Sequence, residues 1–352
     1  MLCAAILVCV LMLIPVLARG PGAQAVSLAS DGYIKWVDFK VTAEAMEKAL
    51  AYDIQSQNTE NELNWVELLA YLGAKYGGNY KRYKARDMDA LVKSLNNGKT
   101  LAELTADMPY YPYYREAYGA VLDGMVGSFE IQTPESLDSS KAEFDKRYGL
   151  KSYSPIAYGY SYAHYDDFGN SRSFGYTRTH LGNDLMGSIG TPIIAVESGV
   201  VETMGWNRYG GWRVGIRSLD GRRYYYYAHM RKDRPYQADL QEGMVIEAGD
   251  VIGYLGMTGY SDKENVNGMT VPHLHFGMQL IFDESQKDGA NEIWIDVYEL
   301  VNFLEHHKSP ILREEETREC YRKYEFIDPA VTALGDTIPV FPKDKSEETQ
   351  TE

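Results

Sequence analysis

Apolar positions repeat along this chain with two different periods, and the change falls before the middle. Residues 40–127 carry the helical period. Trp65, Leu68, Leu69, Leu72 and Tyr76 stand at i, i+3, i+4, i+7 and i+11, one helix stripe that Gly77-Gly78 ends. Met88, Leu91 and Leu95 make a second stripe, stopped by Asn96-Asn97-Gly98. Thr100 and Glu103 have capping-box spacing for a third, short helix. The stretch "MPYYPYYREAYGAVLDGMVG", 108–127, opens on prolines and tyrosines and then turns apolar and helical. Glu67 beside the Trp65 stripe is read as a surface or first-turn glutamate, not as a buried acid, because unpaired charges stay out of cores.

From about residue 155 glycines multiply and short β-branched or aromatic runs alternate with turn residues, as in "TPIIAVESGVVETMG" and "MVIEAGDVIGYLGMTG". Asp220-Gly221 between two such runs is a hairpin signal. "AVESGVVETMG" and "IEAGDVIGYLG" resemble each other, each a short strand, a glycine turn and a second strand, so a sheet of duplicated hairpins is expected. The polar stretch before this half reads as a boundary. Beyond 301, "VNFLEHHKSPILREEETRECYRKYEF" reads as helix, with "REEETRE" as its solvated face, and the last ten residues read as disordered. The expected architecture is α+β: a helical domain at 26–135, a linker at 136–154, an antiparallel β-sheet domain at 155–300, and a C-terminal helix with an acidic tail at 301–352.

At 352 residues the chain is long enough for two cores. Its formal charge of −15 argues against capture of nucleic acid or of anionic membrane surfaces. The 29 tyrosines against 10 phenylalanines suit sugar- or peptide-binding grooves, and equally half-wet cores. The N-terminus is apolar from Leu2 to Ala18 apart from its cysteines and Pro15, and Ala23-Gln24-Ala25 follows as a cleavage pattern. Residues 1–25 are therefore expected to be a signal peptide cleaved after Ala25, or an uncleaved anchor in the cytoplasmic membrane. Either way the rest is exported, to the cell envelope or the extracellular space. Cys3 and Cys9 lie in that segment, which leaves Cys320 without an internal disulfide partner.

There are seven histidines. His306 and His307 read as surface residues, and His164 sits in a Tyr/Asp-rich loop with no clear partner. The other four fall in the β half. His273 and His275 lie one residue apart in an extended run, so they share a face, with Leu274 and Phe276 on the other. His180 precedes Asp184 by four residues with Gly182 between, so the loop can bend to bring imidazole and carboxylate together. Zinc accepts both donor types, and a catalytic site keeps three protein ligands and an open position. His180, Asp184 and one histidine of the 273/275 pair would supply such a set, lowering the pKa of a bound water. Period two puts Tyr225, Tyr227 and His229 on one strand face; beside the His273 strand, two imidazoles would flank that water. One could take its proton and the other could stabilise the oxyanion.

"HLGNDLMG", "YAHM" and "VPHLHFGM" resemble the signature segments of the lysostaphin-type zinc endopeptidases, which cut peptide cross-links of bacterial cell walls. The flanks "GTPIIAVESGVV" and "GDVIGYLGMTG" match as well, so the resemblance covers about residues 155–300. It implies a twisted antiparallel sheet with a peptide groove and one Zn2+ per chain. By that resemblance His180, Asp184 and His275 hold the metal, His229 and His273 are the acid/base and oxyanion pair, and peptidoglycan peptides are the substrate. The alternative is a non-catalytic envelope adaptor or activator that uses the same fold to bind wall or partners.

Overall fold

The computed structural model describes residues 33–137, 139, 141–289, 291–335 and 337–341. The segment read as signal or anchor at 1–25 and the last ten residues, read as disordered, lie outside them. Among the described residues no helix is long and apolar enough to cross a membrane. Five helices come first: α1 (Ala43–Ser56), α2 (Trp65–Tyr76), α3 (Ala85–Asn96), α4 (Leu101–Thr105) and α5 (Tyr111–Leu122). α2 starts where the Asn64 side chain accepts the Val66 and Glu67 N–H groups, and ends at Gly77 with φ of 63°. Its expected stripe, Trp65 through Tyr76, is buried, and so is the Met88, Leu91, Leu95 stripe of α3. The Thr100–Glu103 capping box forms at α4. Glu67 sits in the first turn of α2, partly exposed, 3.8 Å from Arg115.

The stretch read as a linker, 136–154, carries a strand over 144–150. β1 (Val126–Gln132) and β2 (Phe144–Leu150) pair along their full lengths. The middle of β2, Asp145-Lys146-Arg147, is charged and exposed, so its strand character is carried by backbone pairing, and its composition hides it. Tyr148 reaches from β2 to donate a 2.7 Å hydrogen bond to the buried Asp53 of α1.

Then follow β3 (Ala163–His164), β4 (Ser171–Phe174), β5 (Tyr176–Thr179), β6 (Asn183–Met186), β7 (Pro192–Ile194), β8 (Gly199–Asn207), β9 (Gly211–Ser218), β10 (Arg223–Ala228), β11 (Val245–Ile246), β12 (Val251–Tyr254), β13 (His273–Leu280) and β14 (Ile293–Ile295). The main sheet runs β11-β8-β9-β10-β13-β6-β3, with β14 also on β13, and the pairings are antiparallel. β9 and β10 join through the expected turn at Gly221, φ 75°. The two similar hairpin segments exchange strands: β7 pairs with β12, and β8 with β11. The fold is α+β, as the change of period implies. Helices and sheet share one core, in which Trp65 of α2 and Phe276 of β13 belong to the same buried cluster.

The C-terminal region differs from the helix expected over 301–326. A helix is present, α6 (Tyr298–Leu304), but it stops before Ser309-Pro310; proline biases the preceding residue away from helix and lacks the N–H a helix needs. β15 (Ile311–Arg313) and β16 (Cys320–Arg322) then form a hairpin, β17 (Phe326–Ile327) adds to β1, and a short helix α7 (Pro329–Thr332) follows. The "REEETRE" run is the turn of that hairpin, and its Glu319 is buried, accepting hydrogen bonds from Arg234 and from Tyr254 Oη. His306 is exposed, but His307 is not the surface residue expected. It stacks on Tyr153 at 4.5 Å and donates to the Ser152 carbonyl at 2.5 Å. His164 finds Asn302 Oδ1 at 3.2 Å.

Candidate metal centre

Strand alternation on β13 buries Leu274 and Phe276 in the core and turns His273 and His275 to the opposite face. The neighbouring strands set the rest. His275 pairs with Asp184 of β6 on one side and with Ala228 of β10 on the other. His180 returns beside Asp184 because the loop passes at Gly182, where a Cβ would stand 2.6 Å from the Phe276 carbonyl and 2.8 Å from His275 Nε2. Only glycine fits there. The outcome is a buried trio: His180 Nε2 lies 3.1 Å from Asp184 Oδ1 and 2.8 Å from His275 Nδ1, and His275 Nδ1 lies 3.3 Å from Asp184 Oδ1. One donor atom from each falls within 4.8 Å of the others.

A second layer orients these donors. The chain around 167–170 runs against His180, with the Gly169 N–H donating to the His180 carbonyl and the His180 N–H to the Asn170 carbonyl, both at 2.8 Å. That brings the Asp167 carbonyl to 3.0 Å from His180 Nδ1, so Nδ1 carries the proton and Nε2 offers its lone pair inward. Asp167 Oδ1 accepts the Asp184 N–H at 3.1 Å. Arg172 of β4 bridges Asp167 Oδ2 and Asp184 Oδ2, which leaves Asp184 Oδ1 facing the two imidazoles. Asp167 and Arg172 are not singled out by sequence reasoning: Asp167 is one acid in a Tyr/Asp-rich loop, and its role comes from loop pairing that no short spacing encodes. Replacing Asp167 by alanine is expected to weaken any divalent-metal binding at the trio by about 10- to 100-fold in chelator competition while the far-UV spectrum is retained.

His229 reaches the same face by a route that strand alternation misses. The period of two would put it with Tyr225 and Tyr227, which are buried in the core. β10 ends at Ala228, however, and His229 has φ of 60°, which reverses the direction of its side chain. Its N–H donates to the Gly210 carbonyl at 2.7 Å and its Nδ1–H to the Thr258 carbonyl at 2.8 Å. Gly259 permits this approach, since a Cβ there would lie 2.4 Å from the Tyr209 carbonyl and 3.0 Å from His229 Nδ1. The His229 ring then packs 4.7 Å from His273 and 6.0 Å from His275. His273 donates from Nδ1 to the Val271 carbonyl at 2.8 Å, and its Nε2 is buried without a partner among the described residues.

Electrostatics match this layout. Burial pushes the His229 imidazole well below the ordinary histidine range, helped by the neighbouring His273 and His275. Burial also takes His275 down to about 4. Burial works to raise the Asp184 carboxyl, but its close contacts with the His180 and His275 imidazoles and the neighbouring His273 outweigh it, holding the group far below the carboxylate range. Two imidazole nitrogens and one carboxylate oxygen, already oriented from behind, are the donor set zinc takes. The orphaned His273 Nε2 beside them is a polar group that an incoming ligand or water would satisfy. The structure therefore brings together all five residues singled out by the sequence, three as a converging trio and two as flanking rings.

Residues 178–288 match the model of peptidase family M23. The L-Ala–D-Glu endopeptidase of Bacillus subtilis is 40% identical over 140 residues, which are 40% of this chain and 39% of that protein. Lysostaphin of Staphylococcus simulans is 38% identical over 98 residues, 28% of this chain and 17% of that protein. The chain thus spans well under half the length of these relatives. Among solved structures, the catalytic domain of lysostaphin from Staphylococcus simulans aligns with 37% of this chain and 84% of its own at 31% identity, with a TM-score of 0.29.

Proposed function

We propose, from the premise that residues 178–288 belong to peptidase family M23, that this protein is a zinc-dependent endopeptidase of bacterial peptidoglycan, cutting the peptides that cross-link the wall. The observation that carries the reading is the buried trio of His180, Asp184 and His275 with two uncoordinated imidazoles beside it. The names of these relatives, an L-Ala–D-Glu endopeptidase and lysostaphin, support the substrate class.

His180 Nε2, Asp184 Oδ1 and His275 Nδ1 would hold one Zn2+. Bound there, the ion supplies Lewis-acid polarisation of a peptide carbonyl and acidifies water. The remaining work belongs to the chain. His229 and His273 each fix Nδ1–H on a backbone carbonyl, so both aim Nε2 at the open side of the trio. His229, kept neutral by burial, accepts the proton of the attacking water at Nε2 and later releases it to the leaving amine. His273 Nε2 lies 3.8 Å from Asp184 Oδ1, on the open side of the trio, and would donate to the oxygen of the tetrahedral intermediate. The fixed β10–β13–β6 register keeps these groups on one rigid face. The export reading of residues 1–25, by cleavage or by membrane anchoring, supports action at the cell envelope or outside the cell.

The test uses residues 26–352 with purified sacculi. Zinc-loaded protein should release new amino groups, chelation should stop the release, and added zinc should restore it. A fully zinc-loaded protein that binds sacculi and releases nothing would replace this reading with the envelope adaptor.

A further inference from the structure

We infer that Arg178 is a substrate-binding residue that receives a free carboxylate of the wall peptide, within about three residues of the scissile bond. The inference rests on the peptidase reading above. Arg178 stands on β5, two residues before His180, and its guanidinium carbon lies 4.8 Å from the ring centres of both Tyr209 and Tyr260. Its Nη2 donates to Tyr260 Oη at 2.6 Å, while its Nη1 is buried and has no acceptor among the described residues. Four other guanidinium groups meet a carboxylate, Arg172 with Asp167, Arg217 with Glu202, Arg223 with Glu197 and Arg322 with Asp250, whereas Arg231 takes the Arg234 carbonyl. In a chain with 50 acidic against 35 basic side chains, Arg178 forms no ion pair among the described residues.

The chemistry of that site selects its ligand. A guanidinium presents five N–H donors in a planar fork that matches a carboxylate, and only one bond is spent on Tyr260. The two tyrosine rings hold the plane in place before any ligand arrives, which reduces the ordering a bound state must impose. An orphaned buried donor in a folded protein calls for a missing partner. The location supplies one. The Tyr260 ring lies 6.1 Å from the His229 ring, so the guanidinium falls within about 11 Å of the proton-transfer group, about three residues of extended peptide at ~3.3–3.6 Å each. Stem peptides offer two carboxylates at such range, the α-carboxylate left free by a γ-linked D-glutamyl residue and the chain terminus. The competing explanation is mechanical: Arg178 would only staple the β4–β5 hairpin to the loops that carry Tyr209 and Tyr260.

Kinetics on paired substrates separate these. Zinc-loaded full chain is offered stem-peptide fragments in two pairs, one differing only in a free or amidated D-glutamyl α-carboxyl, the other only in a free or amidated C-terminus. The wild type is expected to prefer the free carboxylate in one pair by tenfold or more in kcat/KM, chiefly through KM. Arg178→Gln should bring that ratio within threefold of unity, and Arg178→Lys should recover part of it. The pair that shows the ratio identifies the carboxylate. Wild-type ratios near one in both pairs would overturn the inference, and so would an Arg178→Gln variant that slows both members of a pair equally, the result of a staple. If zinc-loaded wild type cleaves no fragment, the peptidase reading fails by itself. Calorimetric binding of the same pairs then decides for Arg178: a Kd ratio that Arg178→Gln erases sustains the carboxylate site, and equal or absent binding removes it.

Discussion

His229→Ala and His273→Ala should each lower kcat/KM on wall peptides by about 100- to 10,000-fold while zinc stays bound at one ion per chain. The expectation follows from geometry, because neither ring shares the short contacts of the His180, Asp184 and His275 trio. Each is instead fixed by a backbone carbonyl, Thr258 for His229 and Val271 for His273. Metal analysis beside peptide-release kinetics provides the check. A His229→Ala protein that has lost its zinc would move that residue from proton transfer to metal binding.

Glu197→Ala should destabilise the folded protein by about 3–5 kcal/mol, seen as a lowered urea midpoint with the zinc site otherwise intact. Arg223 is 1% exposed. Its Nε and Nη2 reach the two oxygens of Glu197 at 2.8 and 2.9 Å, and Tyr225 Oη donates to the same carboxylate at 2.6 Å. Removing Glu197 leaves a guanidinium in the core whose partners among the described residues are the Ala120 carbonyl, at 2.9 Å, and the partly exposed Asp220. Since Ala120 belongs to α5, this buried pair also ties the helical region to the sheet. Replacing Arg223 and Glu197 together by methionine and leucine should restore most of the loss, because the cost lies in the unpaired charge and not in the absence of a pair. A single Glu197→Ala variant as stable as the wild type would contradict the burial on which the estimate depends.

Much of this was legible in the sequence where local periodicity and burial agree. The α2 stripe and the β13 alternation each bury one face, so spacing alone reports the packing. The trio is legible because its members lie in short motifs, and the register β10–β13–β6 then sets Ala228, His275 and Asp184 side by side. His229 is a different lesson. Its residue type points to the site, but period two assigns it to the core, and only a backbone reversal at φ 60° puts it among the other imidazoles. Asp167 and Arg172 escape because they act through loop pairing. β2 and the β15–β16 hairpin escape because charged side chains on partly exposed strands mimic solvated helix or linker; their pairing partners lie elsewhere in the chain.

The exchange of strands between the two similar hairpins has a consequence for how the chain tolerates damage. Val200 finds its ladder partner at Val245, and Ile194 at Val251, so neither copy can close its own hydrogen bonds. A premature end between residues 218 and 245 would leave β7, and the edge of β8 that faces β11, with unpaired N–H and C=O groups on apolar segments. Such fragments should associate with one another instead of staying soluble and monomeric.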